Sequence, residues 1–228
     1  KQAVRYQVME YILKPVTPAE LTEVLQKAKE SLDETHAKSA TLKKLKGAYQ
    51  SNRPILRGRF LNSLLRGDEH PENLEERMKE LDISLSGSVF NTAIVEGDDL
   101  SPFLNRYQGV RDELALFSIY NITQELIEQK GQGVVFQNMD EKTVVIFCSD
   151  TAENLKKNTE DSLTLVRGTI QELLLIETTA GVGEAVTQLS KLYQSYEKAR
   201  AALDLKWLLG GNQVLRCGLL DVRKSVPI

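Results

Sequence analysis

Leu21, Leu25, Ala28, Leu32, Thr35, Ser39 and Leu42 follow one another at alternating spacings of four and three. That rhythm lays them along one seam of a helix and winds the seam left-handed against a partner helix. The middle of the seam is polar, so the pairing it predicts is weak. Just ahead of it, Thr17-Pro18-Ala19-Glu20 is a helix start: the Thr17 hydroxyl accepts from a first-turn amide, Glu20 reaches back, and Pro18 presets the backbone. Gly47 and the Gln50-Ser51-Asn52 cluster are expected to interrupt this helix. A second helix is expected over residues 54–65, carrying Ile55, Leu56, Phe60, Leu61, Leu64 and Leu65 and stopped by Gly67. Before the start signal, Tyr11-Ile12-Leu13 reads as a short apolar strand.

Farther along, the pattern becomes an alternation of elements. Residues 89–95 read as a strand and 110–130 as a long helix with Leu114, Leu116, Phe117, Tyr120, Ile122 and Leu126. Residues 133–136 and 143–148 read as two strands joined by Gln137-Asn138-Met139-Asp140-Glu141-Lys142. Then come a helix at 151–175, a strand at 178–182, a helix at 187–209 and a last strand at 213–217. This order describes one sheet with helices packed on it.

The 228 residues are 41% hydrophobic and 27% charged with 6 prolines, the balance of a globular chain. A net charge of -3 gives no field that would favour nucleic acid or an anionic membrane. Cys148 and Cys217 lie in apolar, strand-like runs and are expected to be buried, reduced thiols of a cytoplasmic protein. His36 and His70 are not spaced against them, so zinc has no ligand set. No apolar run approaches the roughly 18 residues of a membrane span, and no membrane partner is expected. A start at Lys1 inside an amphipathic stretch reads as a piece of something longer.

Two resemblances follow from motifs. Ala3-Val4-Arg5, then Glu10-Tyr11-Ile12-Leu13-Lys14-Pro15, then Leu21 and Leu25 resemble the last strand and helix of a CheY-like receiver domain. By that resemblance Lys14 would contact an aspartyl-phosphoryl group and Tyr11 would swing on phosphorylation, a compact cation being suited to a phosphoryl dianion. Ala180-Gly181-Val182-Gly183, Leu189, Leu192, Ser195-Tyr196, Lys198-Ala199 and Ala202-Leu203 resemble the degenerate GGDEF-like middle domain of AraC-type response regulators. Tyr196, Ala199 and Leu203 share a helical face, so helix-to-sheet packing accounts for this motif without a ligand. The resemblances imply an α/β (α+β, two-layer) fold: a degenerate GGDEF or nucleotidyl-cyclase-like, ferredoxin-type sheet with packed helices, preceded by a helical connector. Residues 1–30 would be the tail of a truncated receiver, 31–67 the connector and 68–228 the degenerate middle domain.

On this reading the chain is the signal-relay and dimerisation region of a two-component response regulator in transcription control, and is not an enzyme. A homodimer is expected, a sensor histidine kinase would act through the full receiver, and DNA would be met only by a helix-turn-helix part outside this chain. No cofactor is expected, magnesium belonging to the rest of the receiver. Two alternatives stay open: a domain that senses a nucleotide or small molecule, and an active nucleotidyl cyclase. The cyclase needs carboxylates at the end of the first strand for divalent metals and glycines in the hairpin for close backbone approach. Glu96, Asp98 and Asp99 offer the first, and Asp140 adds an acid in the hairpin, making these four a vestigial metal or nucleotide site. Asn138 and Met139 stand where glycines are wanted. The plainer reading is a solvated turn at residues 96–99 and an ordinary polar turn at Asp140-Glu141.

Overall fold

The computed structural model describes residues 18–69, 72 and 74–217. The expected strand at 11–13, the Thr17 cap, Tyr11 and Lys14 lie outside the described residues. The chain divides into two compact units, one ending at Arg53 and one beginning at Pro54.

Helix α1 spans Pro18–Arg66, so the break expected at Gly47 and residues 50–52 does not occur, and the helix expected at 54–65 is its C-terminal part. A glycine inside a helix costs only about 1 kcal/mol against alanine, which the surrounding lysine, leucine and alanine positions outweigh. Pro54 has no N–H to give the Gln50 carbonyl, and the boundary between the units falls there. In the first unit the Thr22 hydroxyl donates to the Pro18 carbonyl at 2.7 Å. Of the seam residues, Leu25 and Leu32 are 60% and 56% exposed.

In the second unit, α2 (Leu74–Glu80), β1 (Val89–Gly97), α3 (Ser101–Arg106) and α4 (Asp112–Glu128) are followed by β2 (Gly133–Gln137) and β3 (Thr143–Ser149). Then come α5 (Ala152–Leu174), β4 (Thr178–Val182), a 3-10 turn (Leu189–Lys191), α6 (Leu192–Asp204), α7 (Lys206–Leu209) and β5 (Val214–Arg216). The helix expected over 187–209 is thus three pieces; the Leu205 amide bonds the Ala202 carbonyl at 3.2 Å, a tightened closure that ends α6.

Among the described residues, five strands form one mixed sheet in the order β2-β3-β1-β4-β5. β1 runs antiparallel to both β3 and β4, β2 antiparallel to β3, and β4 parallel to β5. Because β1 and β3 are flanked on both edges and covered on both faces, they read as nearly continuous apolar runs. One face packs Phe90, Ile94, Phe136 and Ile146 against Phe60, Leu61 and Leu64 of α1 and Leu192, Ala199 and Leu203 of α6. The other packs Ala93, Val95, Val145 and Phe147 against Ile119 of α4 and Leu163, Val166 and Ile170 of α5. This is the α/β fold with a central sheet and packed helices. Among the described residues no helix is long and apolar enough to cross a membrane.

Candidate functional site

The register of the sheet gathers charged groups at the C-terminal end of β1. Val95 lies opposite Thr143, which brings Lys142 of the β2–β3 turn beside Glu96, and Gly97 lies opposite Thr178 at the start of β4. Lys142 Nζ is 2.6 Å from Glu96 Oε2, and Lys206 Nζ, at the start of α7, is 2.6 Å from Glu96 Oε1 and 3.7 Å from Asp98 Oδ1. Asp98 Oδ2 accepts from the Thr179 hydroxyl at 2.8 Å and from the Asn212 amide at 2.8 Å. A side chain at Gly211 would put its Cβ 2.6 Å from that oxygen, so the bare backbone there is what lets Asp98 in. Asp98 Oδ1 is buried and makes no hydrogen bond.

Arg167 of α5 braces the same corner, donating through Nε to the Thr178 carbonyl at 2.8 Å and through Nη2 to the Asn212 backbone and side-chain oxygens. Burial pushes its guanidinium down from its ordinary value, against the charges of Asp98 and Glu177. Burial also pushes the Glu96 carboxyl up, but the hydrogen bonds and charges of Lys142 and Lys206 outweigh it and hold Glu96 below its ordinary value.

The other two expected acids stand apart from this pair. Asp99 Oδ1 accepts from the Ser101 amide at 2.9 Å, and the Ser101 hydrogen bonds hold its fully exposed carboxyl below the usual range. It is a turn residue at the entry to α3. Asp140 sits in the β2–β3 turn, lining a cleft of about 550 Å³ with Asn62, Arg66, Tyr193 and Arg200. That turn is held by Asn138, whose Oδ1 accepts from the Asp140 and Lys142 amides at 3.0 and 2.9 Å, while its Nδ2 donates to the Tyr196 hydroxyl at 2.8 Å. The Asn138 side chain thus fastens the turn to itself and to α6. Met139, 79% exposed, lines the same cleft as Asp140.

The residues that the sequence did not single out are Lys142, Thr179, Lys206, Asn212 and Arg167. Only Lys142 carried a signal, being the last residue of the turn between the two hairpin strands. Lys206 lies 110 positions from Glu96, and nothing in its local pattern marks it.

A family model described as the GGDEF-like domain matches residues 66–205. The chain belongs to the GGDEF-like domain family. Among curated proteins, none matches it. The solved structure of the coiled coil and GGDEF domain of DgcB from Caulobacter crescentus, in complex with c-di-GMP, is similar over 81% of this chain and 98% of its own, at 15% identity and a TM-score of 0.54. That likeness is one of fold. Diguanylate cyclase SiaD from Pseudomonas aeruginosa, with its activator SiaC, covers 94% of this chain and 85% of its own at 16% identity and a TM-score of 0.45. The active GGEEF domain of a diguanylate cyclase from Vibrio cholerae covers 62% and 87% at 12% identity and a TM-score of 0.42.

These findings correct the main reading of the sequence. The reading as a non-catalytic relay of a two-component, AraC-type response regulator in transcription gives way, because what matches is the GGDEF-like domain and, in fold, the coiled coil and GGDEF domain of DgcB. The exclusion of an enzyme falls with it, and the nucleotidyl-cyclase alternative lies closer to what is found.

The cyclase alternative would call for divalent metal ions on the carboxylates at the end of β1. The donor set does not fit a divalent ion as it stands. Both Glu96 oxygens bond ammonium groups, Asp98 Oδ2 takes two hydrogen bonds, and only Asp98 Oδ1 is left. Among the described residues no group of three or more His, Cys, Asp or Glu side chains is placed to hold a metal.

Proposed function

We propose that this chain serves cyclic-dinucleotide signalling as a cyclase-type domain that takes a purine nucleotide at the C-terminal end of β1. The observation that carries this reading is the convergence there of Glu96, Asp98, Lys142 and Lys206 beside an exposed indole. Trp207 follows Lys206 on α7, is 84% exposed, and has its ring centroid 5.2 Å from the Lys206 ammonium. Lys142 is a phosphate donor in waiting and the indole a surface for a base to stack on. The Lys142–Glu96 pair is partly exposed, and such pairs are worth only about 0–1 kcal/mol, so a phosphate can share its ammonium at little cost. Family membership and the DgcB complex with c-di-GMP support the class of ligand.

The test uses the chain's single tryptophan. Titration with GTP and with cyclic di-GMP is expected to give a saturable change in Trp207 fluorescence, confirmed by calorimetry and weakened in Lys142→Ala. Chromatography of the same GTP samples with magnesium or manganese reads turnover. Binding with product makes the domain a cyclase, and binding alone makes it a receptor of the same signal. Neither binding nor product overturns the proposal.

Pairing through α1 belongs to the same proposal. The DgcB structure joins a coiled coil to its GGDEF domain, and the exposure of Leu25 and Leu32 leaves two seam positions open to a second copy. The cell interior remains the proposed location, in keeping with two free cysteines. Light scattering should report a dimer that is lost in Leu25→Lys/Leu32→Lys.

A further inference from the structure

We propose that Lys206 is a built-in counter-cation, its ammonium holding the place between Glu96 and Asp98 that a divalent ion would need, so that removing it turns the pair into a divalent-cation site. The inference concerns the nucleotide site proposed above and rests on its placing at the end of β1, but it needs no nucleotide to be bound.

Three features carry it. The ammonium faces one oxygen of each carboxylate, at 2.6 Å from Glu96 Oε1 and 3.7 Å from Asp98 Oδ1. Its side chain is only 11% exposed, the least of the three, so the ammonium is set into the corner between the two carboxylates. Asp98 Oδ1 is buried without a hydrogen bond, and the Lys206 ammonium, 3.7 Å away, is too far to supply one. A hard carboxylate oxygen in that state is what a divalent ion seeks.

Charge gives the direction of the change. Counting Glu96, Asp98 and Glu177 against Lys142, Lys206 and Arg167, the six charges of the corner cancel. Without Lys206 the corner carries one net negative charge, and Glu96 Oε1 and Asp98 Oδ1 face the vacated space together. Magnesium and manganese accept one or two carboxylates and complete their shells with water, so two oxygens are enough. Asp98 is already fixed by Thr179 and Asn212 through its other oxygen, which orients the free one without further ordering.

The experiment titrates manganese alone, followed by calorimetry and by the paramagnetic signal of free manganese, into the wild-type chain, Lys206→Met and Lys206→Met/Asp98→Asn. Wild type is expected to show no saturable binding below millimolar concentrations. Lys206→Met should bind manganese at least about tenfold more tightly, and the added Asp98→Asn should abolish the gain. Lys206→Gln gives the same reading if the methionine variant does not fold, folding being checked by circular dichroism. Saturable binding by wild type that Asp98→Asn removes overturns the proposal, and so does a folded Lys206 variant that binds no better than wild type. Because no nucleotide is present, a failure here is distinct from a failure of the nucleotide reading.

Discussion

Ser195 of α6 reaches across to β1 and closes a gap in the sheet: its Oγ accepts the backbone amide of Thr92 at 2.9 Å and the Thr92 hydroxyl at 3.1 Å. The gap exists because the chain after Val182 bulges away between Gly183, whose amide donates to the Thr92 carbonyl, and Val186, which pairs with Phe90, so the Thr92 amide has no backbone partner on that side. Gly183 makes the approach of α6 to this point feasible. A Cβ there would lie 2.0 Å from the Ser195 carbonyl, and one at Gly181 2.3 Å from the Ala199 carbonyl. The Gly-x-Gly and Ser-Tyr-x-x-Ala motifs are therefore two halves of one helix-to-sheet contact. Ser195→Ala leaves a buried amide unpaired and is expected to cost about 1–3 kcal/mol in urea denaturation, with the slope unchanged. Gly183→Ala should cost more, since backbone rather than a side chain must move.

Asn138 ties the β2–β3 turn to α6 as well as to itself. Its side chain caps the amides of Asp140 and Lys142 and donates to Tyr196, while Glu141 takes a left-handed backbone at φ 60°. Asn138→Ala should free the Asp140 and Lys142 amides and speed their hydrogen exchange well beyond that of β3. Tyr196→Phe removes only the outer hydrogen bond and should leave those two amides protected. Equal exchange in both variants would show that the turn is held by its backbone alone.

Much of the fold was legible because its signals are local. The strand at 178–182 is observed over the same residues. The helix expected from 151 to 175 runs Ala152–Leu174, with the Thr151 hydroxyl accepting the Asn154 amide at its start and Leu175 left-handed at its end. What was missed is too short to show a period. Helix α3 buries only Phe103 and α2 only Leu74 and Met78, so neither repeats an apolar position often enough to stand out. The same limit applied to the site. Glu96 and Asp98 sit two apart at a strand end and were visible together, whereas Lys206, Asn212 and Arg167 reach them only through the packing of α5, α7 and β5. Asp99 and Asp140, alike in sequence to the first two, are separated from them by where the chain turns.

The two cysteines differ in a way that labelling can read. Cys148 lies on central strand β3 and is buried, and burial, with the charge of Asp150, pushes its thiol up against a lowering hydrogen bond from Ser86. Cys217 was expected to be buried too, but β5 is an edge strand that ends at Arg216, and the residue beyond it is only partly covered, its Sγ 3.2 Å from the Lys198 carbonyl. Iodoacetamide on the native chain, followed by peptide mass spectrometry, should modify Cys217 at least about tenfold faster than Cys148. Denaturant should bring the two rates together.

Glu96 sets an acid limit on the stability of the corner. Its carboxyl is held below its ordinary value in the folded chain by Lys142 and Lys206, so the unfolded state binds a proton more readily than the folded one. Its contribution is therefore fully present above the unfolded value, about 4.3 for a glutamate, and is lost as pH falls below that through the folded value. In Glu96→Gln that segment of the pH dependence should be missing while other carboxylates still titrate. The amide also leaves two lysines without their shared counter-charge, so the variant should be less stable than wild type at neutral pH and the gap should narrow as pH drops from about 5 to 3. Urea midpoints measured across that range decide it: a constant gap would mean that Glu96 is not held by the two ammonium groups in solution.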